Sequence, residues 1–447
     1  MRKFSYIDWK LLLIGMFSMT QIRVIGSIGI SELVICLIAP VMFIQDLNQL
    51  RKDGFMPILM LALLTCISCC ISCYVNATPF EAGIRGFASP YVLWAGLVVM
   101  HRCLLKNLNG LRWFIVGFAI STVINTFTFQ TGADMATFGE GGQVDAQVLM
   151  SGPLFWVSKL RHFFLDIPIG GFYIVTPLIY SILAPLGLVA FTFATSDSGR
   201  AMALSFFATS MLLIVGRKRV EAMKSISKHF VLVGVAMICA AAAFKALYKY
   251  AATHGYLTEK AEAKYAGQSK GGTGFLQLLM AGRGETFIGG MAALRKPVWG
   301  YGPWPIDKEN ISEEYLMTYG TEEDINIHLR TLADYARFGI TMRQHWLPCH
   351  SHIIGFWVWY GAIGGVLWLY VLYLIYKFLR YDVAIMPQWF GYFSFMIPTA
   401  VWNICFSPFG SRMYMITLIT SLLLADAIRR GKVFLSLSVV AEINRYR

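Results

Sequence analysis

Three short polar stretches in an otherwise apolar chain carry residue types that could do chemistry. Ser196-Asp197-Ser198-Gly199-Arg200 lies between an apolar run ending at Ala194 and another beginning at Ala201. An arginine at a helix N-terminus adds a planar fork of donors to backbone N–H groups that already favour an anion, which suits a phosphate. The alternative is an interfacial arginine whose head reaches lipid headgroups. The second stretch, Gly282-Arg283-Gly284-Glu285, precedes Pro297-Val298-Trp299-Gly300-Tyr301-Gly302. Glycines flanking an arginine let backbone and guanidinium approach a ligand closely, although a plain turn has the same composition. The third, Pro348-Cys349-His350-Ser351-His352, opens the apolar run 353–376. A histidine at a helix mouth can take a proton from a hydroxyl or donate to an anion. Against this stand a helix-capping histidine and an H-x-H metal pair, for which no adjacent carboxylate cluster completes a site.

Other polar residues sit in or beside apolar runs. Arg85, with Glu81 one turn earlier, could pair locally or face the same cavity as the three stretches. Tyr301 and Trp304 could stack on the apolar faces of sugar rings or form the core of their loop. Glu309, Glu313 or Asp324 could serve as a base in place of His350, with His352 as support or substitute for it. His101 and Arg102 read as interfacial, and Arg23 and Glu32 as polar groups within apolar surroundings. Of nine cysteines, Cys66, Cys69, Cys70 and Cys73 form overlapping C-x-x-C pairs in one apolar run. With no charge nearby they read as small helix-packing residues, with redox or metal work as the alternative.

The elements that must position these groups follow from composition. Of 447 residues 57% are apolar and 14% charged, with mean hydropathy +0.58. Both fractions depart from soluble-domain values in the direction of a membrane protein. The net charge of +13 reads as an excess in cytoplasmic loops rather than a nucleic-acid surface, which would need interleaved aromatics outside the membrane. Spans of about 17–25 residues place helices near 10–25, 30–46, 56–75, 86–105, 111–130, 171–195, 200–216, 228–249, 352–377, 387–405 and 411–428. The first reads as a transmembrane element, since no small-residue cleavage site follows it. The expected fold is all-α, a polytopic transmembrane bundle of about 11–12 helices. Basic clusters at 51–52, 101–112, 217–228 and 429–432 put those connections and both termini in the cytoplasm. Three regions result: transmembrane helices over 1–249, a long extracytoplasmic loop with short helices over 250–349, and C-terminal helices with a tail over 350–447. Within the loop, 322–338 reads as an amphipathic helix; a second outer loop covers 131–167.

Taken in order, the three stretches resemble the O-antigen polymerase/ligase superfamily of integral membrane glycosyltransferases. Its pattern has a Ser-x-Ser-Arg-like segment at a helix start, here Ser196–Arg200 with an inserted glycine. A long outer loop follows with an arginine, here Arg283, and a Pro-x-x-Gly-x-Gly turn, here Pro297, Gly300 and Gly302. A His-Asn or His-Ser element then begins a helix with Gly-x-x-Gly, here His350-Ser351 with Gly361 and Gly364. The resemblance covers roughly 190–380; the N-terminal half matches only as a string of apolar helices. It implies transfer of a glycan from an undecaprenyl-pyrophosphate carrier to a sugar hydroxyl at the outer face of the bacterial inner membrane. It also implies catalytic roles for His350, Arg283 and Arg200, substrate contacts from His352, Tyr301, Trp304 and Arg85, and no metal or other cofactor. The implied partners are a lipid-linked oligosaccharide and membrane lipid, with a chain-length regulator allowed and nucleic acid excluded. A polymerase is the first expectation and a ligase acting on lipid A core or protein the second. A transporter or flippase is the rival of another class. Absence of an internal repeat, and concentration of polar residues in one outer loop, favour the enzyme.

Overall fold

The computed structural model describes residues 7–18, 20–23, 27–106, 110–127, 250, 254–255, 275–319, 347, 351–382, 393, 396–397, 400–401, 403–405 and 412–431. The expected helices 171–195, 200–216 and 228–249, the loop 131–167 and the segment 322–338 lie outside these residues. Helix α1 (Trp9–Met16) is followed by a two-stranded antiparallel ribbon, β1 (Gln21–Arg23) and β2 (Ser27–Gly29), with Gln21 opposite Gly29. Then come α2 (Ile30–Asp53), α3 (Met56–Val75), α4 (Phe80–Lys106) and α5 (Leu111–Phe127). The later elements are α6 (Phe275–Arg295), α7 (Ile311–Tyr319), α8 (His352–Tyr360), α9 (Ala362–Lys377) with a π-helical extension Phe378–Asp382, and α10 (Arg412–Arg429).

The protein is a mostly helical, membrane-associated chain. Among the described residues four helices are long and apolar enough to cross a membrane: Ile30–Asp53, Met56–Val75, Phe80–Lys106 and Ala362–Asp382. Helix α2 turns apolar side chains outward, Leu37 being 72% and Ile44 76% exposed, as a lipid-facing helix would. Helix α4 is different. Its stretch Val92–His101 is buried throughout, which marks a helix apolar on every side and enclosed by its neighbours. It packs against α2, α3 and α10.

Helix directions follow from contacts at their ends. Tyr91 Oη donates to the Cys36 carbonyl at 3.2 Å and His101 meets Asp53 at 2.7 Å, so α2 and α4 run parallel. Lys377 pairs with Asp426 at 2.9 Å and Arg430 donates to the Asp53 carbonyl at 3.1 Å, bringing the last turns of α9, α10 and α2 together. The bundle therefore has a basic end, at Asp53, His101, Lys377 and Arg429. Its opposite end holds Asn76 and the start of α4.

The elements correct several expectations. The first helix stops at Met16, and within the expected span 10–25 the strand β1 follows at Gln21–Arg23. The stretch Gly282–Glu285 is not a turn but lies inside α6. Flanking leucine, methionine and alanine residues sustain the helix although each glycine costs about 1 kcal/mol there. The expected helix 352–377 is two helices separated at Gly361. His101 is fully buried rather than interfacial, because its partner Asp53 reaches it from α2.

Candidate active site

Helices α8 and α9 fold back on each other. His352, which begins α8, stacks on Trp368 with ring centroids 4.3 Å apart, and Phe356 meets the same indole edge-on at 5.3 Å. In one continuous helix His352 and Trp368 would stand about 24 Å apart, so the contact requires a hairpin. Gly361 makes the reversal with φ 74° and ψ −168°. A Cβ there would fall within 3.0 Å of the Val298 carbonyl, an approach real side chains do not make. Helix α8 is about 13 Å long, less than half of a hydrocarbon core.

The turn Pro297–Gly302 fills the bend. Tyr301 N donates to the Val358 carbonyl at 2.6 Å, and Ala362 N to the Pro297 carbonyl at 2.8 Å. Trp357 Nε1 also donates to the Pro297 carbonyl, at 3.0 Å. Gly300, with φ 66°, lies against the α8 backbone where a Cβ would collide with the Val358 carbonyl. The two glycine-rich motifs, nearly sixty residues apart in sequence, are thus one interlocked structure.

A helix leaves its last four carbonyls without intrahelical partners, and here each of α8 is satisfied. Trp357 O accepts from Gly361 N at 2.8 Å and Val358 O from Tyr301 N. Trp359 O accepts from Ser72 Oγ at 3.0 Å, and Tyr360 O from Ser68 Oγ at 2.5 Å. The Tyr360 hydroxyl, fully buried, donates to the Gly86 carbonyl of α4 at 2.7 Å. Asn76 Nδ2 donates to the Gly300 carbonyl at 3.1 Å. Ser68, Ser72 and Asn76 escaped the sequence reading. Their spacing of four within an apolar run was the available signal for a polar stripe on one helix face.

The anticipated residues are placed as follows. His350 and Arg200 lie outside the described residues, as does Asp324. Arg283 lies on α6, where its backbone alone is described. Ser351, 1% exposed, caps α8 by accepting from Ile354 N at 3.2 Å and donates to the Ile404 carbonyl at 2.9 Å. His352 follows it, held by the Trp368 stack. Arg85 is exposed on α4 next to Gly86, which packs on Pro303. Trp304 contacts Trp359 with ring centroids 4.9 Å apart. Its φ of 54° is a costly conformation for a bulky residue, of a kind that clusters at ligand sites.

Tyr301 sits in a second apolar cluster with Ile288, Ala292, Ile311 and Val358. Its hydroxyl donates to Glu309 at 2.9 Å, and the Lys296 ammonium lies 4.2 Å from its ring centre. Burial, reinforced by the bond to Glu309, raises the phenol above its ordinary value and keeps it a donor at neutral pH. The placement is that of a loop-core residue. Glu309 also faces Lys296 at 3.4 Å and Arg295 at 3.7 Å, while Arg295 pairs with Glu314. Glu313 stands in the first turn of α7. At the start of α10, Arg412 meets the buried Glu32 at 3.4 Å, which brings a further arginine to the end of the bundle opposite the basic one. Compared with protein-family models, curated proteins and solved structures, the chain matches none.

Proposed function

We propose that the chain is an integral membrane glycosyltransferase of the O-antigen polymerase/ligase type that joins undecaprenyl-pyrophosphate-linked repeat units into a surface polysaccharide. The observation that carries this reading is the docking of the Pro297–Gly302 turn onto the hairpin that begins just after His350. Two of the three ordered motifs thereby meet at one end of a membrane bundle. In this reading the bundle has about 11–12 crossings of the bacterial inner membrane. Arg51, Lys52, Arg102, Lys106, Lys377, Arg429 and Arg430 belong to its basic end, which supports a cytoplasmic orientation for that end. The glycine-rich end then faces the periplasm.

The chemistry follows from the residue types. His350 accepts the proton of an acceptor hydroxyl as its oxygen bonds to the anomeric carbon of the donor. The bond from that carbon to the pyrophosphate oxygen breaks, and the lipid pyrophosphate leaves with the electron pair. Arg200 and Arg283 stabilise the charge that gathers on it. Attack opposite the leaving group inverts the anomeric centre. His352, fixed on Trp368, supports the position of His350, while Trp304 and Arg85 contact the glycan and its carrier.

The test uses purified protein in liposomes with the undecaprenyl-pyrophosphate repeat unit of its own gene cluster, with and without a lipid A core acceptor. A ladder of longer lipid-linked glycans without the core is the expected product, and glycan on the core alone would make the enzyme a ligase. Replacing His350 by alanine should lower turnover about a hundredfold or more with the protein still in the membrane. Transport of labelled donor with neither product would overturn the enzyme reading.

A further inference from the structure

Hydroxyl side chains inside apolar helices usually bond back to the carbonyl one turn earlier. Thr65 does so to Leu61 at 2.8 Å, and Thr417, Thr420 and Ser421 do so along α10. Ser68 and Ser72 do not. Both are buried, and both reach across to carbonyls of another element, Tyr360 and Trp359. One turn further, Asn76 spends one amide hydrogen on the Ser72 carbonyl at 2.9 Å and reaches the Gly300 carbonyl at 3.1 Å. Beyond it, Thr78 Oγ1 fills the space beside Gly302. The stripe therefore touches both halves of the interlocked structure, the helix end at the base of the bend and the turn that fills it.

We propose that Ser68, Ser72 and Asn76 are positioning residues, a ladder of donors on α3 that holds the hairpin α8–α9 and the turn Pro297–Gly302 in one fixed register. Irregular backbone at membrane depth persists only where protein groups satisfy it, and these side chains supply the donors to Trp359, Tyr360 and Gly300. Acting on carbonyls rather than charges, the ladder adds no carboxylate near a site meant for an anion. The consequence for activity rests on the glycosyltransferase reading; the consequence for structure does not. The serines secure the helix end that leads back to His352 and Ser351, so they govern the geometry of the reacting step. Asn76 secures the turn that leads into Trp304, so it governs how the glycan is held.

The test takes the full chain in lipid nanodiscs and measures hydrogen exchange in Ser68→Ala, Ser72→Ala, Ser72→Thr and Asn76→Asp variants. Asp at 76 keeps the shape of asparagine but cannot donate. Losing a donor should speed exchange at Tyr301, Gly361 and Ala362 about tenfold, with Val92–Met100 of α4 unchanged. Ser72→Thr, which keeps its hydroxyl, should exchange like the parent. Unchanged exchange at the bend, or an equal rise throughout α4, would overturn the ladder. In the liposome assay, Asn76→Asp should raise KM for the lipid-linked donor about tenfold at near-normal kcat, and Ser68→Ala should lower kcat at near-normal KM. An active parent whose variants share its KM and kcat would overturn the positioning role. An inactive parent would remove the glycosyltransferase reading and leave the exchange result to decide the ladder.

Discussion

The two ends of the bundle are held together by different physics. Around the hairpin at the glycine-rich end the ties are neutral: hydroxyl, amide and backbone donors on carbonyls, with glycines where no side chain fits. The Arg412–Glu32 pair stands apart from them at the start of α2. At the basic end the ties are built on carboxylates. Asp53 and His101 meet at 2.7 Å with almost no exposure, and Asp426 draws in Lys377, Arg429 and Arg430, while Arg429 also reaches Asp382 at 2.5 Å. Charged ties hold helix ends firmly but strand a buried charge when one partner goes. Neutral ties hold shape more weakly each, yet add no carboxylate of their own. On the proposed function, the difference separates an anchoring end from a working end.

The largest expected effect lies at the anchoring end. His101→Ala leaves the Asp53 carboxylate buried with Gln49 Nε2, at 3.0 Å, as its side-chain donor. Breaking a buried pair in this way costs about 3–5 kcal/mol, and thermal unfolding in detergent should report it as a lower midpoint for the whole bundle. Replacing Asp53 and His101 together by leucine should recover much of the loss. Next comes Gly361→Ala at the working end. An alanine held at positive φ with extended ψ and a collision with Val298 together cost about 3 kcal/mol. Here the damage should be local: faster hydrogen exchange over 297–305 and 352–362, with the basic end still protected. If Gly361→Ala lowers the global midpoint as much as His101→Ala, the two ends unfold as one unit and the distinction fails.

How much of this the sequence revealed follows the same division between local and distant causes. Helix α3 lies on its expected bounds and α10 within a residue of them, because apolar length and flanking Pro57, Arg412 and Arg429 are local signals. The break at Gly361 was hidden in a continuous apolar run. Its cause is the Val298 carbonyl, more than sixty residues earlier, and no window along the chain contains both. His101 looked interfacial for the same reason, its partner being 48 residues away. The motifs around Pro297 and Gly361 were legible as motifs; that they interlock was not. Arg283 shows the opposite error, where a local glycine signal suggested a turn and the surrounding helix formers prevailed.

The smallest effect tests the edge of the working end, where charges do occur. Glu309 accepts the Tyr301 hydroxyl and faces Arg295 and Lys296, yet all three of these ionised groups are about a third or more exposed. Ion pairs so exposed contribute about 0–1 kcal/mol each. Glu309→Gln keeps an oxygen for the tyrosine hydroxyl and removes only the charge. Its stability should stay within about 1 kcal/mol of the parent, and the difference should shrink further in molar salt. With the carboxylate gone, the Tyr301 phenol loses one of the influences that raise it, so its ultraviolet titration should move to lower pH while burial still holds it above an exposed tyrosine. A loss of several kcal/mol would show that the loop is clamped by charge after all. The contrast between a neutral working end and a charged anchoring end would then not hold.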